Sequence, residues 1–408
     1  MALKVKEEKV DNGMRIIAVQ ADGLESVGES IAVNYGSVDE PKNSRGFAHA
    51  LEHMLFKGTK TKSWKDITES FKEMGATENA ETRFEETIYY GMVHKSEAER
   101  LASLLADMIK NSTIPEEEFK KEKGALLGEL KMIKDNPLSE AIFLSSSTIY
   151  KKSPAKYPII GNESFIRNMK SSMLRKEYLK NYTPENIVAV IYGGISVEKG
   201  ILLLKRHFEE FARSGKKVQR KVAKGEKSEE KELEKNTNQS AISVSYRCRP
   251  LDSIGTFATL LLAENMLSSR LFDEVREKRG LSYATYARYE FAKSFSFISA
   301  VSNASKEPDE VLKIIKRESH NFFSGQIGEQ EFKKHKNGLS NILRMRMDDS
   351  LVTAIQISTF ANMGMSVNEY LGVDSEIRRL SLKEFKDSVG ELVEYDDPGI
   401  YFIRGKRS

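Results

Sequence analysis

The chain contains an internal sequence repeat, and this repeat limits the possible folds more than any other feature of the sequence. Residues 114–132 read IPEEEFKKEKGALLGELKM and residues 327–345 read IGEQEFKKHKNGLSNILRM, with ten identities at a shift of 213 positions. GFAHALEHML (46–55) is echoed by TFATLLLAENML (256–267), and the apolar alternation of 31–35 recurs 211 positions later. Segments repeated in the same order at a nearly constant shift indicate a duplicated unit.

The duplication and the length of the chain together predict two domains. A chain of 408 residues suits two domains of about 200 residues each. We expect them at 1–213 and 239–408, joined by the Lys/Glu-rich segment 214–238, which has the composition of a solvated linker or exposed hairpin. Each copy begins with a pair of strands and continues with helices, such as 44–57 and 115–135 in the first. This order predicts an α+β fold in which helices pack on a largely antiparallel sheet in each domain.

Composition excludes several classes of protein. Lys and Arg number 64 and Asp and Glu 60, for a net charge of +4, whereas a nucleic-acid binder normally carries a basic excess on one face. No apolar run approaches the roughly 18 residues that a membrane-spanning helix needs. The first residues, MALKVKEEKVDNG, lack the apolar core of a signal peptide, so we expect a cytoplasmic protein. The single cysteine, Cys248, excludes a disulfide framework and a cysteine-based metal cluster.

Two of the six histidines stand close together in HALEH (49–53). The i,i+4 spacing places His49 and His53 on one face of a helix, one turn apart, as two ligands of one metal ion must be. Glu52 projects beside them, where a carboxylate can accept the proton of a metal-bound water. Composition alone predicts roughly 0.01 such matches in a chain of this kind, so a pair of ordinary surface histidines is the weaker interpretation. The order His-x-x-Glu-His is typical of inverted zincins, a class of zinc peptidase.

Three segments resemble the pitrilysin and mitochondrial-processing-peptidase family of zinc metallopeptidases. They are GFAHALEHMLFKGT (46–59), NAETRFEETIYY (79–90) and EKGALLGELKMIKDNP (122–137), and the resemblance extends over nearly the whole chain. It implies half of a clamshell, because the family encloses its substrate between four related domains and this chain has two. A homodimer would supply all four, and closed two-fold symmetry is the commonest arrangement of soluble oligomers. A heterodimer with a related subunit is the alternative.

The resemblance also implies the remaining residues of the metal site. A catalytic zinc takes three protein ligands and a water, and the family pattern places the third ligand at Glu129. Glu122 lies two turns earlier on the same helix face. In the family this position supports the site without binding the metal, and the alternative is a solvated carboxylate on a charged helix. Asn79 and Ala80 match a family segment that forms an edge strand, to which the peptide substrate pairs through its backbone.

The second copy has lost the metal ligands. Leu261, Asn265 and Ile342 stand at the three ligand positions, and His335 stands at the position of Glu122. Glu52 alone keeps its residue type, as Glu264. The sequence therefore predicts one zinc ion per chain, bound in the first half.

Another feature of the second half matches the family. In RLFDEVREKRGLSYATYA (270–287), Arg276 and Tyr283 match an Arg and a Tyr that contact the substrate near the scissile bond in the family. A guanidinium and a phenol can orient a peptide and donate hydrogen bonds to a developing oxyanion. Arg279 is the alternative for the arginine, and a purely structural role is the alternative for the second half.

These features predict a zinc endopeptidase that hydrolyses peptides or small unfolded polypeptides inside a closed chamber, in precursor processing or in the clearance of fragments. Zinc would polarise the scissile carbonyl, and Glu52 would deprotonate the attacking water. The alternative is a non-catalytic peptide-binding or assembly subunit of the processing-peptidase type. Loss of ligands would mark such a subunit, and this chain retains all three.

Overall fold

Over residues 3–42 and 44–406, which the computed structural model describes, the chain forms eleven strands and fifteen α-helices. The strands are β1 (Leu3–Lys9), β2 (Arg15–Ala21), β3 (Ser26–Val33), β4 (Thr77–Thr82), β5 (Thr87–His94), β6 (Ile187–Gly193), β7 (Glu230–Lys235), β8 (Ser240–Cys248), β9 (Ser282–Phe291), β10 (Ser296–Ala304) and β11 (Val393–Gly405). The helices are α1 (Phe47–Leu55), α2 (Trp64–Met74), α3 (Ala98–Asn111), α4 (Glu116–Asp135), α5 (Pro137–Leu144), α6 (Glu163–Asn168), α7 (Ser171–Asn181), α8 (Val197–Phe208), α9 (Ile254–Leu271), α10 (Pro308–Phe323), α11 (Glu329–Arg346), α12 (Ser350–Asn362), α13 (Val367–Leu371), α14 (Val373–Arg379) and α15 (Leu382–Leu392).

The two sheets repeat one topology. The first sheet has the order β1-β2-β6-β3-β5-β4, and the second has the order β7-β11-β8-β10-β9. Without β1, the two orders correspond strand for strand. In each sheet the first corresponding pair is parallel, β2 with β6 and β7 with β11, and the other neighbours are antiparallel. The predicted α+β class with largely antiparallel sheets is confirmed, and the repeated strand order supports the duplication.

The chain packs into two compact units, each built from separate segments. The first unit comprises the residues up to Gly128, Ile159–Gln219 and Met345–Tyr370; the second comprises Glu129–Pro158, Arg220–Arg344 and the residues from Leu371 onward. These units differ from the predicted domains, 1–213 and 239–408, by an exchange of segments: Met345–Tyr370, which contains α12, belongs to the first unit, and Glu129–Pro158, which contains α5, belongs to the second. The start of α12 lies 213 positions after the start of α5, so each copy contributes the same helix to the other copy's unit.

Small polar residues allow α12 to approach β3 closely within the first unit. The hydroxyls of Ser30 and Ser358 lie 2.7 Å apart, and Ser350 donates a hydrogen bond to Ser26 at 2.9 Å. Between these two contacts, a Cβ atom on Gly28 would lie 2.2 Å from the carbonyl oxygen of Ser350. Only glycine therefore fits at that position of the strand.

The predicted linker, 214–238, contains the edge strand β7 (Glu230–Lys235), which pairs with β11. The sequence of this strand is EKELEK, and most of its side chains are exposed. Edge strands carry charged side chains more often than central strands do, because one side of their backbone stays unpaired and charge discourages aggregation there. Amino-acid composition alone therefore cannot distinguish this charged edge strand from a solvated linker.

The opposite face of β3 buries a carboxyl group. Glu29 pairs along the sheet with Gly91 and Ile191, and its side chain is fully buried. Within the described chain, neither of its carboxyl oxygens has a hydrogen-bond partner. Burial raises the pKa of Glu29 to about 8, because no nearby group compensates the lost hydration of the charged form.

Replacing Glu29 by Gln is expected to remove a pH-dependent loss of stability. The folded-state pKa of about 8 lies above the unfolded value of 4.5. The folded state therefore keeps a proton that the unfolded state releases, and stability falls by roughly 1.4 kcal/mol per pH unit between these values. Between pH 5.5 and 8, the Glu29→Gln variant should gain up to about 3 kcal/mol relative to wild type in urea unfolding. The exposed Glu69 supplies the control; an equal response of Glu69→Gln would contradict the assignment.

Candidate metal centre

The start of α1 is set by a glycine and a buried carboxyl group. Gly46 precedes the helix with a φ of 93°, and a Cβ atom there would lie 2.5 Å from the carbonyl oxygen of Ile160. The side chain of Glu40 accepts hydrogen bonds from the backbone N–H groups of Gly46, at 2.9 Å, and Ala48, at 2.7 Å. An acceptor at this end satisfies N–H groups that have no partner within the helix. These contacts fix the position at which the histidine-bearing helix begins.

His49 and His53 lie one turn apart on α1, with ring centroids 4.6 Å apart. Their potential ligand atoms and one from Glu129 on α4 all lie within 4.8 Å of one another. Of all the residues that the structure describes, these three are the one group of His, Cys, Asp or Glu side chains close enough to hold a metal ion. Glu129 begins the second compact unit, but α4 continues without a break from Gly128 into it.

The chemistry of this cluster fits zinc. Two imidazoles and one carboxylate are a donor set of catalytic zinc sites, which leave a fourth position for water or substrate. Ligand atoms around a tetrahedral zinc lie about 3.4 Å apart, so small side-chain rotations would close the present spacing. His49 is buried, whereas His53 and Glu129 are partly exposed. The predicted ligands are therefore brought together at a partly exposed position.

Glu122 lies beside the cluster and is held by two side chains. The Nδ1 atom of His53 lies 2.8 Å from its Oε1 atom, and the Nζ atom of Lys57 lies 2.7 Å from its Oε2 atom. Burial raises the pKa of Glu122, but the hydrogen bonds from His53 and Lys57 outweigh burial and hold the pKa below its ordinary value. An ionised Glu122 accepts the Nδ1 proton of His53, and Nε2 is then the ring nitrogen whose lone pair can bind a metal ion. Support without ligation, as predicted for Glu122, is consistent with this geometry.

Glu52 is oriented by a residue that the sequence analysis did not single out. The hydroxyl of Thr82 donates a hydrogen bond to the Oε2 atom of Glu52 at 2.5 Å. Thr82 is the last residue of β4, so its position follows from the pairing of β4 with β5. Thr82 lies in the matched segment 79–90, for which the resemblance implies only a substrate strand.

The strand that contains Asn79 and Ala80 lies at the edge of the first sheet, as the resemblance implied. Asn79 pairs with Tyr90 and Ala80 with Tyr89, both on β5. The side chain of Asn79 is exposed, whereas that of Ala80 is buried. The same strand ends at Thr82, whose hydroxyl contacts Glu52, so the edge of β4 runs towards Glu52. A peptide that paired with β4 would therefore extend along the sheet towards the carboxylate.

The second copy keeps the same helix-to-helix contact with other residues. The Nδ1 atom of His335 on α11 lies 2.8 Å from the Oδ1 atom of Asn265 on α9. These positions correspond to Glu122 and His53, so the imidazole has moved from one helix of the pair to the other. The second copy therefore retains a hydrogen bond between the two helices but lacks the metal ligands.

Arg276 and Tyr283 contact each other in the second unit. The guanidinium carbon of Arg276 lies 4.9 Å from the ring centroid of Tyr283, and its Nη1 atom donates a hydrogen bond to the Tyr283 carbonyl oxygen at 3.2 Å. Tyr283 is 73% exposed, so the phenol is available to a ligand. Arg279, the alternative arginine, forms an ion pair with Glu274 at 2.6 Å. The contact with Tyr283 favours Arg276 over Arg279, and the catalytic role of the pair stays a prediction.

Comparison with known proteins decides the family. Residues 15–163 match the insulinase family (peptidase family M16), and residues 168–339 match the peptidase M16 inactive domain. A Bacillus subtilis protein named "Uncharacterized zinc protease YmxG" is 33% identical over 291 residues, which cover 69% of each chain. The chain belongs to peptidase family M16. The resemblance found in the sequence is confirmed, and the inactive-domain match includes Leu261 and Asn265, which stand at two of the lost ligand positions.

Solved protease structures share the fold of the whole chain. A protease from Helicobacter pylori superposes with a TM-score of 0.87 at 18% identity, covering 98% of this chain and 99% of that one. The periplasmic protease PqqL from Escherichia coli superposes with a TM-score of 0.74 at 17% identity. The match to PqqL covers 99% of this chain but 48% of the PqqL chain. Along the described part of this M16 chain, no helix is both long and apolar enough to cross a membrane.

Proposed function

We propose that the chain is a zinc endopeptidase that hydrolyses peptides or small unfolded polypeptides. The observation that carries this proposal is the convergence of His49, His53 and Glu129, with Glu52 on the same helix as the two histidines. A purely structural metal site would be closed by a fourth protein ligand, and it would not need a non-ligand carboxylate such as Glu52 beside the ion. Membership of a peptidase family, with relatives named zinc proteases, supports the same activity.

The roles of the residues follow from their positions. His49, His53 and Glu129 would hold the zinc ion, which when bound supplies a Lewis acid for the scissile carbonyl and lowers the pKa of a water to about 7. Glu52, oriented by Thr82, would take a proton from the attacking water and pass it to the leaving amine.

The substrate would bind as an additional strand. An extended peptide would pair with the β4 edge at Asn79 and Ala80, so that backbone hydrogen bonds give affinity for varied sequences. Arg276 and Tyr283 would orient the peptide and donate hydrogen bonds to the developing oxyanion.

The assembly that we propose is a homodimer. The chain matches about half of the PqqL chain, so two copies would supply as many domains as that longer protein. A C2 dimer is the simplest closed arrangement of two identical chains. A heterodimer with a related subunit would supply the same number of domains, and a cytoplasmic location stays a prediction.

Metal removal tests the proposed activity. The purified protein should contain about one zinc ion per chain and cleave an internally quenched peptide. The chelator 1,10-phenanthroline should abolish cleavage, and added zinc should restore it, because the ion completes the site. The non-chelating isomer 1,7-phenanthroline is the control. A zinc-loaded chain that cleaves no member of a diverse peptide library would instead support a peptide-binding subunit, and a chain without zinc affinity would contradict both the activity and the ligand assignment.

A further inference from the structure

Lys57 contacts the metal site through Glu122. It lies two positions beyond the end of α1, and its Nζ atom lies 2.7 Å from the Oε2 atom of Glu122. The side chain of Lys57 is 29% exposed and that of Glu122 is 12% exposed. The other carboxylate oxygen accepts the hydrogen bond from His53. Both oxygens of Glu122 are therefore engaged by α1 and the residues that directly follow it.

This arrangement bears on the choice between two carboxylates. Glu122 and Glu129 lie two turns apart on one face of α4, so both project towards α1. A glutamate side chain rotates about three bonds, and a single hydrogen bond to His53 would leave it able to swing towards the ion. The second contact, with the ammonium group of Lys57, restricts that rotation.

The second copy shows what happens to this contact where the metal site is absent. Ser269 stands at the position of Lys57, and His335 stands at the position of Glu122. The imidazole of His335 bonds directly to Asn265, and the cation-to-carboxylate contact between the two helices is made by other residues, Arg270 and Glu331. The lysine is thus missing from the copy that lacks the supporting glutamate and the ligands.

We propose that Lys57 is a positioning residue, which holds Glu122 against His53 and keeps Glu129 as the carboxylate that binds the metal. This inference rests on the proposed zinc site. It extends the site to a residue that touches neither the ion nor the substrate and acts through Glu122.

The charge of Lys57 acts in the opposite direction and must be separated from its positioning effect. Removing an ammonium group near a dication lowers repulsion and favours zinc binding. This charge effect is present whether or not residue 122 is a glutamate, whereas the positioning effect requires the carboxylate. A double-mutant cycle between positions 57 and 122 therefore isolates the positioning effect.

The test measures the zinc dissociation constant by competition with a chromophoric chelator. The variants are Lys57→Met, Glu122→Gln and the double variant. Changes to groups that orient metal ligands commonly weaken binding about 10–100-fold, which we expect for Glu122→Gln. Because Lys57 acts through Glu122, we expect Lys57→Met to weaken binding about 3–10-fold more in the wild-type background than in the Glu122→Gln background. Glu129→Gln should lose more affinity than any of these variants.

Two further variants separate positioning from other effects. Lys57→Arg keeps a cation able to bond the carboxylate and should restore most of the affinity. Lys60→Met removes an exposed charge from the same segment and controls for charge alone. Circular dichroism of each variant checks that the fold is retained.

The outcomes distinguish the inference from the proposed function. An equal effect of Lys57→Met in both backgrounds would overturn the positioning role of Lys57 and leave the zinc site standing. A larger loss for Glu122→Gln than for Glu129→Gln would show that the two glutamates have been exchanged and would also overturn the inference. A wild-type chain that does not bind zinc would remove the proposed function and the inference with it.

Discussion

Replacing Glu52 by Gln is expected to leave zinc bound while peptide turnover falls about 10²–10⁴-fold. The amide has nearly the same shape as the carboxylate and can still accept the hydrogen bond from Thr82, but it cannot accept the proton of the attacking water. Zinc content and cleavage of the quenched peptide should be measured on the same preparation, so that metal loss is not mistaken for loss of the base.

The duplicated copy supplies a matched control for this variant. Glu264 occupies the position of Glu52 on the corresponding helix, α9, in the copy that lacks the ligands. Glu264→Gln makes the same chemical change and should leave turnover close to wild type. Near-normal turnover in zinc-loaded Glu52→Gln protein would remove Glu52 as the general base.

Mixing two inactive variants is expected to restore activity. In the proposed homodimer, the zinc-bearing half of one chain faces the second half of the other, so Arg276 and Tyr283 would act on the partner's site. Glu52→Gln and Arg276→Ala should each be nearly inactive alone. In a mixed dimer, the site with intact Glu52 would meet the intact Arg276 of its partner. Random pairing makes about half of the dimers mixed, with one complete site in each, so activity should rise towards roughly a quarter of wild type.

The mixing experiment needs subunit exchange and a control for it. Exchange can be followed by mass spectrometry of chains that carry different isotopes. Mixing each variant with wild-type chains shows how subunit exchange by itself changes the measured activity. If Arg276 acts within its own chain, no mixed dimer holds a complete site and activity stays at the level of the separate variants. A monomer in light scattering, or full exchange without recovery, would contradict the proposed assembly and leave the zinc assignment in place.

Local spacing and periodicity were sufficient for several of the helices and for two of the three proposed metal ligands. The helix expected at 115–135 is observed as Glu116–Asp135, and the helix expected at 44–57 as Phe47–Leu55. His49 and His53 could be paired from the sequence because an i,i+4 spacing fixes their separation wherever the helix lies. The duplication was equally visible, since it is a property of residue order alone.

Contacts between distant segments depend on the path of the backbone, so only some of them could be predicted from the sequence. Glu129 could be selected only through the family resemblance, because many glutamates have the same intrinsic affinity for zinc. The amino-acid composition of α5 and α12 does not show which unit each helix joins, because both helices pack on sheets of the same topology.

The duplication, the class of fold, the histidine pair and the place of Glu52 beside it could be read from the sequence, because each follows from spacing along one element or from residue order. Only the tertiary structure decided that Thr82 orients Glu52 and that Lys57 holds Glu122. These contacts join side chains about 30 and 65 positions apart in the chain. They form because sheet pairing and helix packing bring the backbones together, and no local pattern encodes that distance.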